Sequence, residues 1–295
     1  MLLRFDHVNC IYDPDASEPV HALTDVSLSV GGGEFVGLIG HTGSGKSTLV
    51  QHMNGLLRPT SGTVFADDTD IWSDRYDRKA LRARVGLVFQ YPEHQLFETD
   101  VLADVCFGPR NLGRSREDAE RDAKEALSMV GIEEALFSQS PFDLSGGQKR
   151  RVAIAGVLAM HPEILILDEP TAGLDPRRRE EILSLISELH ETQHISIVLV
   201  SHSMEDVARY ADRILVMDNG KVLYDDPPAA VFARHRELAA IGLRAPEAAL
   251  LLSELSEAGL SGFDTYAVSA EDTAKEILQA MHSPQGVAAD REGAV

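Results

Sequence analysis

The chain has 295 residues, 44% hydrophobic and 25% charged, with a formal net charge of −20, enough for one large domain with an appendage or for two domains. No apolar run approaches the ~20 residues that cross a bilayer, and the start Met1-Leu2-Leu3-Arg4-Phe5-Asp6 lacks the apolar stretch of a secretion signal, so any membrane connection runs through a partner. The acidic balance repels polyanions, which argues against nucleic-acid binding, and it suits a basic protein partner.

Strands are predicted over 2 to 9 and 22 to 30, separated by a loop from Tyr12 to Pro19. Tyr12 reads either as an ordinary loop aromatic or as a ring that stacks on a base, a contact worth about 1–3 kcal/mol. The apolar strand Phe35-Val36-Gly37-Leu38-Ile39 then leads into Gly40-His41-Thr42-Gly43-Ser44-Gly45-Lys46-Ser47, and the helical stretch Thr48 to Met53 follows. Every fixed position of the phosphate-loop pattern G-x-x-x-x-G-K-S is filled, in the required order of strand, loop and helix. Its glycines let successive N–H groups point inward at the positive end of a helix, which makes a cradle for a polyphosphate. Lys46 then reaches the β and γ phosphates and Ser47 ligates the bridging magnesium ion. The sequence therefore specifies a nucleoside triphosphate site.

A strand near 63 to 66 and a short helix around 76 to 83 precede the buried-looking strand Val85 to Phe89, which ends at Gln90. A proline-containing polar loop follows, then helices around 100 to 112 and 115 to 130. Asp143-Leu144-Ser145-Gly146-Gly147-Gln148 opens a helix predicted over 149 to 160, a second glycine-rich helix start suited to phosphate. The strand Ile164 to Leu167 ends in Asp168-Glu169, the form of a strand that carries the magnesium-side Asp of a phosphate-loop NTPase. Asp175 and Pro176 read as N-cap and first position of a helix to about His190. Another apolar strand, 195 to 200, ends at Ser201-His202, a helix starts near Met204, and strands near 213 to 217 and 221 to 225 flank the turn Asp218-Asn219-Gly220. Beyond Pro227-Pro228 strand signals stop, and short helices are expected at 229 to 241, 246 to 258 and 270 to 281. No internal repeat is visible.

Several signals carry a second reading. His190-Glu191-Thr192-Gln193-His194 spells the zinc-protease pattern H-E-x-x-H, which needs both histidines on one face of a continuous helix; the helix predicted to end near 190 makes the spacing accidental. His41, His52 and His94 lie near the nucleotide site or the following loop, with polar packing as the default. Cys10 and Cys106 read as core residues in a reducing compartment, Trp72 as a core anchor, and Arg177-Arg178-Arg179 as a solvated face.

Together, the phosphate loop, Gln90, Leu144-Ser145-Gly146-Gly147-Gln148, Asp168-Glu169, Asp175 and His202 resemble the nucleotide-binding subunit of an ABC transporter, over about residues 1 to 225. Phe89 to Phe97 and Phe107-Gly108-Pro109-Arg110-Asn111 resemble, within that family, the ATPases of energy-coupling factor transporters, and more the second of the two ATPases than the first. The resemblance implies an α/β fold, a RecA-like core with an antiparallel β subdomain over 1 to 226 and a helical subdomain inserted at about 91 to 160; the loss of strand signals marks a helical appendage over 227 to 282, and the Gly-, Ala- and charge-rich composition of 283 to 295 predicts a disordered tail.

The resemblance also implies roles. Asp168 would hold magnesium through water, and Gln90 would contact the metal and the attacking water. Glu169 would act as general base, His202 would hold the γ-phosphate, and Tyr12 would stack on adenine. Leu144, Ser145, Gly146, Gly147 and Gln148 would close over ATP held by another subunit, with Asp175 in the loop between the two. The partners implied are a second ATPase (a related chain, or a second copy), an integral membrane coupling subunit and a substrate-binding membrane protein, with this chain peripheral at the cytoplasmic face and driving uptake of vitamins or transition-metal ions. In such complexes the region after Gln90 lines a groove for a basic coupling helix, so Glu93, Glu98, Asp100 and Asp104 are either partners for its arginines or a solvated acidic loop. The competing functions are an ordinary ABC importer or exporter ATPase, a soluble ABC protein on ribosomes or DNA, which usually carries two cassettes or a long coiled coil, and a small-molecule kinase, which leaves residues 144 to 148 unexplained.

Overall fold

A computed structural model describes residues 1–258 and 270–282; the tail expected to be disordered, 283 to 295, lies outside them. In chain order the elements are β1 (Leu2–Tyr12), β2 (Val20–Gly31), β3 (Phe35–Gly40), α1 (Lys46–Met53), β4 (Ser61–Ala66), β5 (Thr69–Asp70), α2 (Arg78–Arg84), β6 (Val85–Val88), α3 (Val101–Asn111), α4 (Arg116–Met129), α5 (Gly146–Leu158), β7 (Ile164–Asp168), α6 (Pro176–Gln193), β8 (Ser196–Val200), α7 (Met204–Tyr210), β9 (Arg213–Asp218), β10 (Lys221–Asp226), α8 (Pro228–Phe232), α9 (His235–Ala240), α10 (Glu247–Glu257) and α11 (Ala270–His282).

The central sheet runs β10-β9-β3-β8-β7-β6. Its β9, β3, β8, β7 and β6 are parallel, and only the edge strand β10 is antiparallel. Parallel strands covered on both faces read as unbroken apolar runs, and β3, β6 and β8 are buried along their whole length. Alternate side chains divide between two cores. Phe35, Ile39, Leu165, Leu167, Ile197 and Leu199 face a core shared with α3 to α7. Val36, Leu38, Ile164, Ile166, Val198 and Val200 face a core shared with α1 and a second, antiparallel sheet of order β2-β1-β4-β5. The helices α3 to α5 are inserted between β6 and β7 and pack on one another. After Pro227 the chain does not leave the main body at once, because Val231, Phe232, Leu238, Leu243 and Ala245 belong to the first of these cores.

Three expectations need correction. The helix opened by the glycine pair starts at Gly146 and not at 149, because Ser145 and Gln148 form a capping box in which each side chain accepts from the other's backbone amide. The helix α6 reaches Gln193, and His194 ends it in the left-handed conformation at φ 54°; the turn off the helix carries this histidine away, and His190 instead bonds Ile195 O at 2.9 Å and packs edge-on against Phe35. Trp72, expected as a core anchor, packs half-buried against the core shared with α1 and the antiparallel sheet, with the guanidinium groups of Arg58 and Arg78 over its ring. Within Arg177 to Arg179, Arg179 is not merely solvated, since it pairs with the nearly buried Asp206 at 2.8 Å. Cys10 and Cys106 are both buried and free, as expected.

Candidate active site

Ligands of open α/β sheets bind beyond the carboxyl ends of the strands, and the chemistry-bearing residues gather there. The phosphate loop follows β3, Ser201-His202 follows β8, Asp168-Glu169 closes β7, and Gln90 follows β6. These four strands are consecutive neighbours in the sheet, so residues up to 162 positions apart in sequence, Gly40 and His202, share one edge.

The phosphate loop turns into α1 at Gly45, whose φ of 104° suits glycine and where a Cβ would lie 2.5 Å from Ala22 O. The loop has a support that the sequence did not disclose. The turn between β9 and β10 underlies it: Gly220 N donates to Ser44 O at 3.0 Å, and His41 Nε2 lies 3.0 Å from Asp218 Oδ1. Asp218-Asn219-Gly220 reads in sequence only as a hairpin turn, and nothing in that signal names what the turn rests on. His52 is a core histidine, bonded to Thr48 O at 2.7 Å and held neutral by burial. Tyr12, 39% exposed, places its hydroxyl 3.2 Å from Thr48 Oγ1 on α1, so its ring lies beside the loop's helix.

Lys46 is buried, and its ammonium donates to Gly40 O at 2.7 Å and His41 O at 3.1 Å. Burial lowers its pKa, opposed by the charges of Glu169 and Asp168. Burial in turn raises Asp168, with Lys46 pulling the other way. Glu169 is pushed up to about 7, first by burial and then by the neighbouring Asp168. Its Oε1 is buried without a hydrogen bond, and His202 Nε2 stands 3.3 Å from it, at ion-pair distance. His202 itself is pushed down by burial and by Lys46, which favours the neutral imidazole. The Glu169 backbone is in the left-handed region at φ 51°, a conformation that costs about 1–3 kcal/mol and persists only where the surroundings fix it. Its amide donates to Val200 O at 3.0 Å, and its carbonyl accepts from Ala172 N at 3.1 Å.

A carboxyl poised near neutrality in a cluster with a lysine and a neutral histidine is suited to general-base work. A base must be ionised to accept a proton, so if Glu169, pushed up to about 7, fills that role, kcat/KM for nucleotide hydrolysis is expected to fall as pH drops below about 7. A pH–rate profile that stays flat between about pH 6 and 8 would contradict this assignment.

The signature residues stand apart from this edge. Ser145 caps α5, with Gln148 Oε1 accepting from Ser145 N at 3.0 Å, and α5 packs on α3 and α4. Leu144 is buried, while Ser145 and Gly146 are exposed. A Cβ on Gly146 or Gly147 would meet nothing of this chain within 4 Å. Asp175, exposed, caps α6 by accepting from Arg178 N at 3.1 Å. Gln90 is exposed at the end of β6.

Three of the four acids weighed as contacts for a partner are used inside the chain. Glu93 pairs with Arg150 at 3.2 Å, Asp100 caps α3 by accepting from Ala103 N, and Asp104 accepts from Phe97 N and Glu98 N. Among the described residues no hydrogen bond or ion pair engages the Glu98 carboxylate. Beside this loop runs a groove of about 560 Å³, lined by Lys79, Arg82, Leu96, Phe97, Phe107 and Met160 among others. Phe97 and Phe107 are 56% and 43% exposed and meet edge to face at 4.8 Å. Exposed aromatics clustered in a groove mark an interaction site more than chance placement does.

Residues 23–172 match the family model described as ABC transporter. The chain is 55% identical over 261 residues, 88% of it and 90% of the relative, to the energy-coupling factor transporter ATP-binding protein EcfA2 of Symbiobacterium thermophilum. It is 49% identical to the EcfA2 protein of Clostridium tetani, over 95% of this chain and 97% of that one. Among solved structures, cbiO1 from Clostridium perfringens, part of the ABC transporter complex cbiONQ, superposes with a TM-score of 0.70 at 39% identity, covering 80% of this chain and 93% of that chain. An ATP-binding cassette solved as a dimer in a post-hydrolysis state with ADP and Pi gives 0.68 at 31% identity, covering 77% of this chain and 98% of that chain. With the phosphate loop, the acid pair and the histidine on one sheet edge and the signature on a separate helix, the chain belongs to the ATP-binding subunits of ABC transporters, in the energy-coupling factor group.

Proposed function

We propose that this chain is one ATP-hydrolysing subunit of an energy-coupling factor importer, working in a pair of cassettes beneath a membrane coupling subunit that also holds a substrate-binding membrane protein, and powering uptake of a vitamin or transition-metal ion. The observation that carries this reading is the split site. Lys46, Asp168, Glu169 and His202 converge, whereas Ser145 to Gly147 present a glycine helix start whose open side faces nothing of this chain. Glycines that this fold does not require make sense when something approaches them from outside, and a helix N-terminus suits a phosphate. ATP held by a second cassette meets that need, and Asp175 would lie in the loop between the two. The second cassette is a related chain or another copy.

The phosphate loop from Gly40 to Thr48 would hold the triphosphate, with Tyr12 against the adenine. A magnesium ion fits the donors present, because Ser47 Oγ, the Asp168 carboxylate and the Gln90 amide oxygen are all hard oxygen ligands of the kind it takes, and Asp168 and Glu169 are both held high by burial beside one another. Bound there, it would neutralise phosphate charge as the γ-phosphoryl group transfers. Glu169 accepts a proton from the attacking water as the new bond to Pγ forms, and ADP departs with the electron pair of the broken Pγ–O bond. His202 orients Glu169 and the γ-phosphate.

The groove along Phe97 and Phe107 would receive an amphipathic helix of the coupling subunit, with Glu98 the acid left to meet a basic residue on it. Residues 1 to 226 would form the ATP-binding unit, residues 91 to 160 the part that moves with the membrane partner, and residues 227 to 282 a support for cassette pairing. Among the described residues no helix is long and apolar enough to cross a membrane, which accords with a peripheral place at the cytoplasmic face.

The test is phosphate release by the chain alone, by the chain with its partner cassette, and by the full membrane complex at equal concentration. Release per chain that is slow when the chain is dilute and alone and rises on pairing, with a related cassette or with itself at high concentration, supports the reading; equal rates per chain at every dilution and in all three preparations would show that the site is complete within one chain, against it.

A further inference from the structure

Arg150 stands five residues after the N-cap of α5 and is 2% exposed. Its Nη1 donates to Pro170 O at 2.9 Å and to Ala172 O at 3.1 Å, and its Nη2 donates to both carboxylate oxygens of Glu93 at 3.3 and 3.2 Å. One guanidinium thus joins three pieces of the molecule. The first is the helix that begins at the signature. The second is the 3-10 turn Pro92–Gln95, next to Gln90 and leading into the groove at Gln95, Leu96 and Phe97. The third is the turn from Glu169 to Ala172, which carries the catalytic carboxylate in its left-handed conformation.

We infer that Arg150 is a positioning residue for hydrolysis, holding the turn after Glu169 in its working conformation and linking that turn to the segment that faces the membrane partner. The reasoning is electrostatic and geometric. A buried guanidinium with a single carboxylate partner is costly to leave unpaired, so movement of Glu93 changes how firmly Arg150 can hold the two carbonyls. One of those carbonyls belongs to Pro170, the residue directly after the strained Glu169 backbone, and the other to Ala172, whose amide donates to Glu169 O, so both lie where the surroundings must fix the conformation. The planar fork of arginine spans the two carbonyls and the carboxylate at once, which a lysine ammonium cannot reproduce. The link to the partner rests on the transport reading above; the hold on Glu169 does not.

The experiment uses the purified cassette pair and the full complex, with Arg150→Lys, Glu93→Gln and the double variant, and reads kcat and KM for MgATP. Because a misplaced catalytic group costs rate while leaving the phosphate loop intact, Arg150→Lys should lower kcat about 10- to 100-fold in both preparations, with KM changed by less than about twofold. Glu93→Gln should lower kcat in the same sense, and the double variant should be little worse than Arg150→Lys, since both act through one contact. Where membrane subunits alter the wild-type kcat, Arg150→Lys should lose that response. An unchanged kcat, a rise in KM alone, or effects that multiply in the double variant would overturn the inference. If Arg150→Lys fails to assemble, Glu93→Gln decides by the same split of kcat against KM. If membrane subunits leave the wild-type kcat unmoved, the link from Arg150 to the partner fails while the kcat of the cassette pair still judges its hold on Glu169.

Discussion

Glu169→Gln is expected to cut ATP hydrolysis at this chain's phosphate loop by about 10²–10⁴, the usual contribution of a general base, while leaving ATP binding in place. The amide keeps the volume of the carboxylate, so the buried site keeps its packing, and Lys46 and the loop amides are untouched. Removing the carboxyl also removes the group that sits near pH 7 beside Asp168, so binding should hold or tighten as one negative charge facing the triphosphate is lost. The measurement is single-turnover release of phosphate from the assembled complex, with bound ATP followed in parallel. Retention of more than about a tenth of the wild-type rate would exclude Glu169 as the base.

Gly146→Asp is expected to leave the chain folded and its own ATP site loaded, yet to reduce hydrolysis of ATP held by the partner cassette by about 10²-fold or more, the scale of losing an anion-stabilising contact. The fold should accept the change, since a Cβ there meets nothing within 4 Å and an acid in the first turn of a helix is favourable. The same charge would face an incoming triphosphate and oppose it. Thermal unfolding unchanged to within a few degrees, together with a loss of hydrolysis only at the partner's site, is the expected pair of results. Normal hydrolysis at that site would show that this helix start does not approach nucleotide.

The parts of this site that were plain in the sequence are those in which chemistry fixes spacing. Gly40 to Ser47 must lie between a strand and a helix, Asp168-Glu169 must end a strand, and both do. That β6, β7, β8 and β3 are neighbours and each release one motif at the same end is a property of the folded sheet. What stayed hidden depends on distance in sequence. Glu93, Glu98, Asp100 and Asp104 look alike as a run of acids, but Arg150, 57 residues from Glu93, claims one of them, and helix capping and loop amides claim two more. Glu169's backbone strain and the support of the phosphate loop by Asp218 and Gly220 are likewise tertiary facts.

Local structure was missed where two rules compete. Two glycines argue against a helix, whereas Ser145 and Gln148, three residues apart, are a capping signal, and in the structure the cap prevails from Gly146. Strands β1 and β2 extend beyond the predicted ends because register shifts after Phe5, Val8 and Cys10, with His7 and Asp25 at positive φ, interrupt the alternation by which strands are read.

The most direct test of the central claim is a mild-detergent pull-down of the tagged chain from its native membranes, with mass spectrometry of what remains bound. The account predicts a second single-cassette ATPase and an integral membrane coupling protein in the same fraction, with a small substrate-binding membrane protein that names the cargo. Recovery of ribosomal proteins, or of no membrane protein at all, would contradict it.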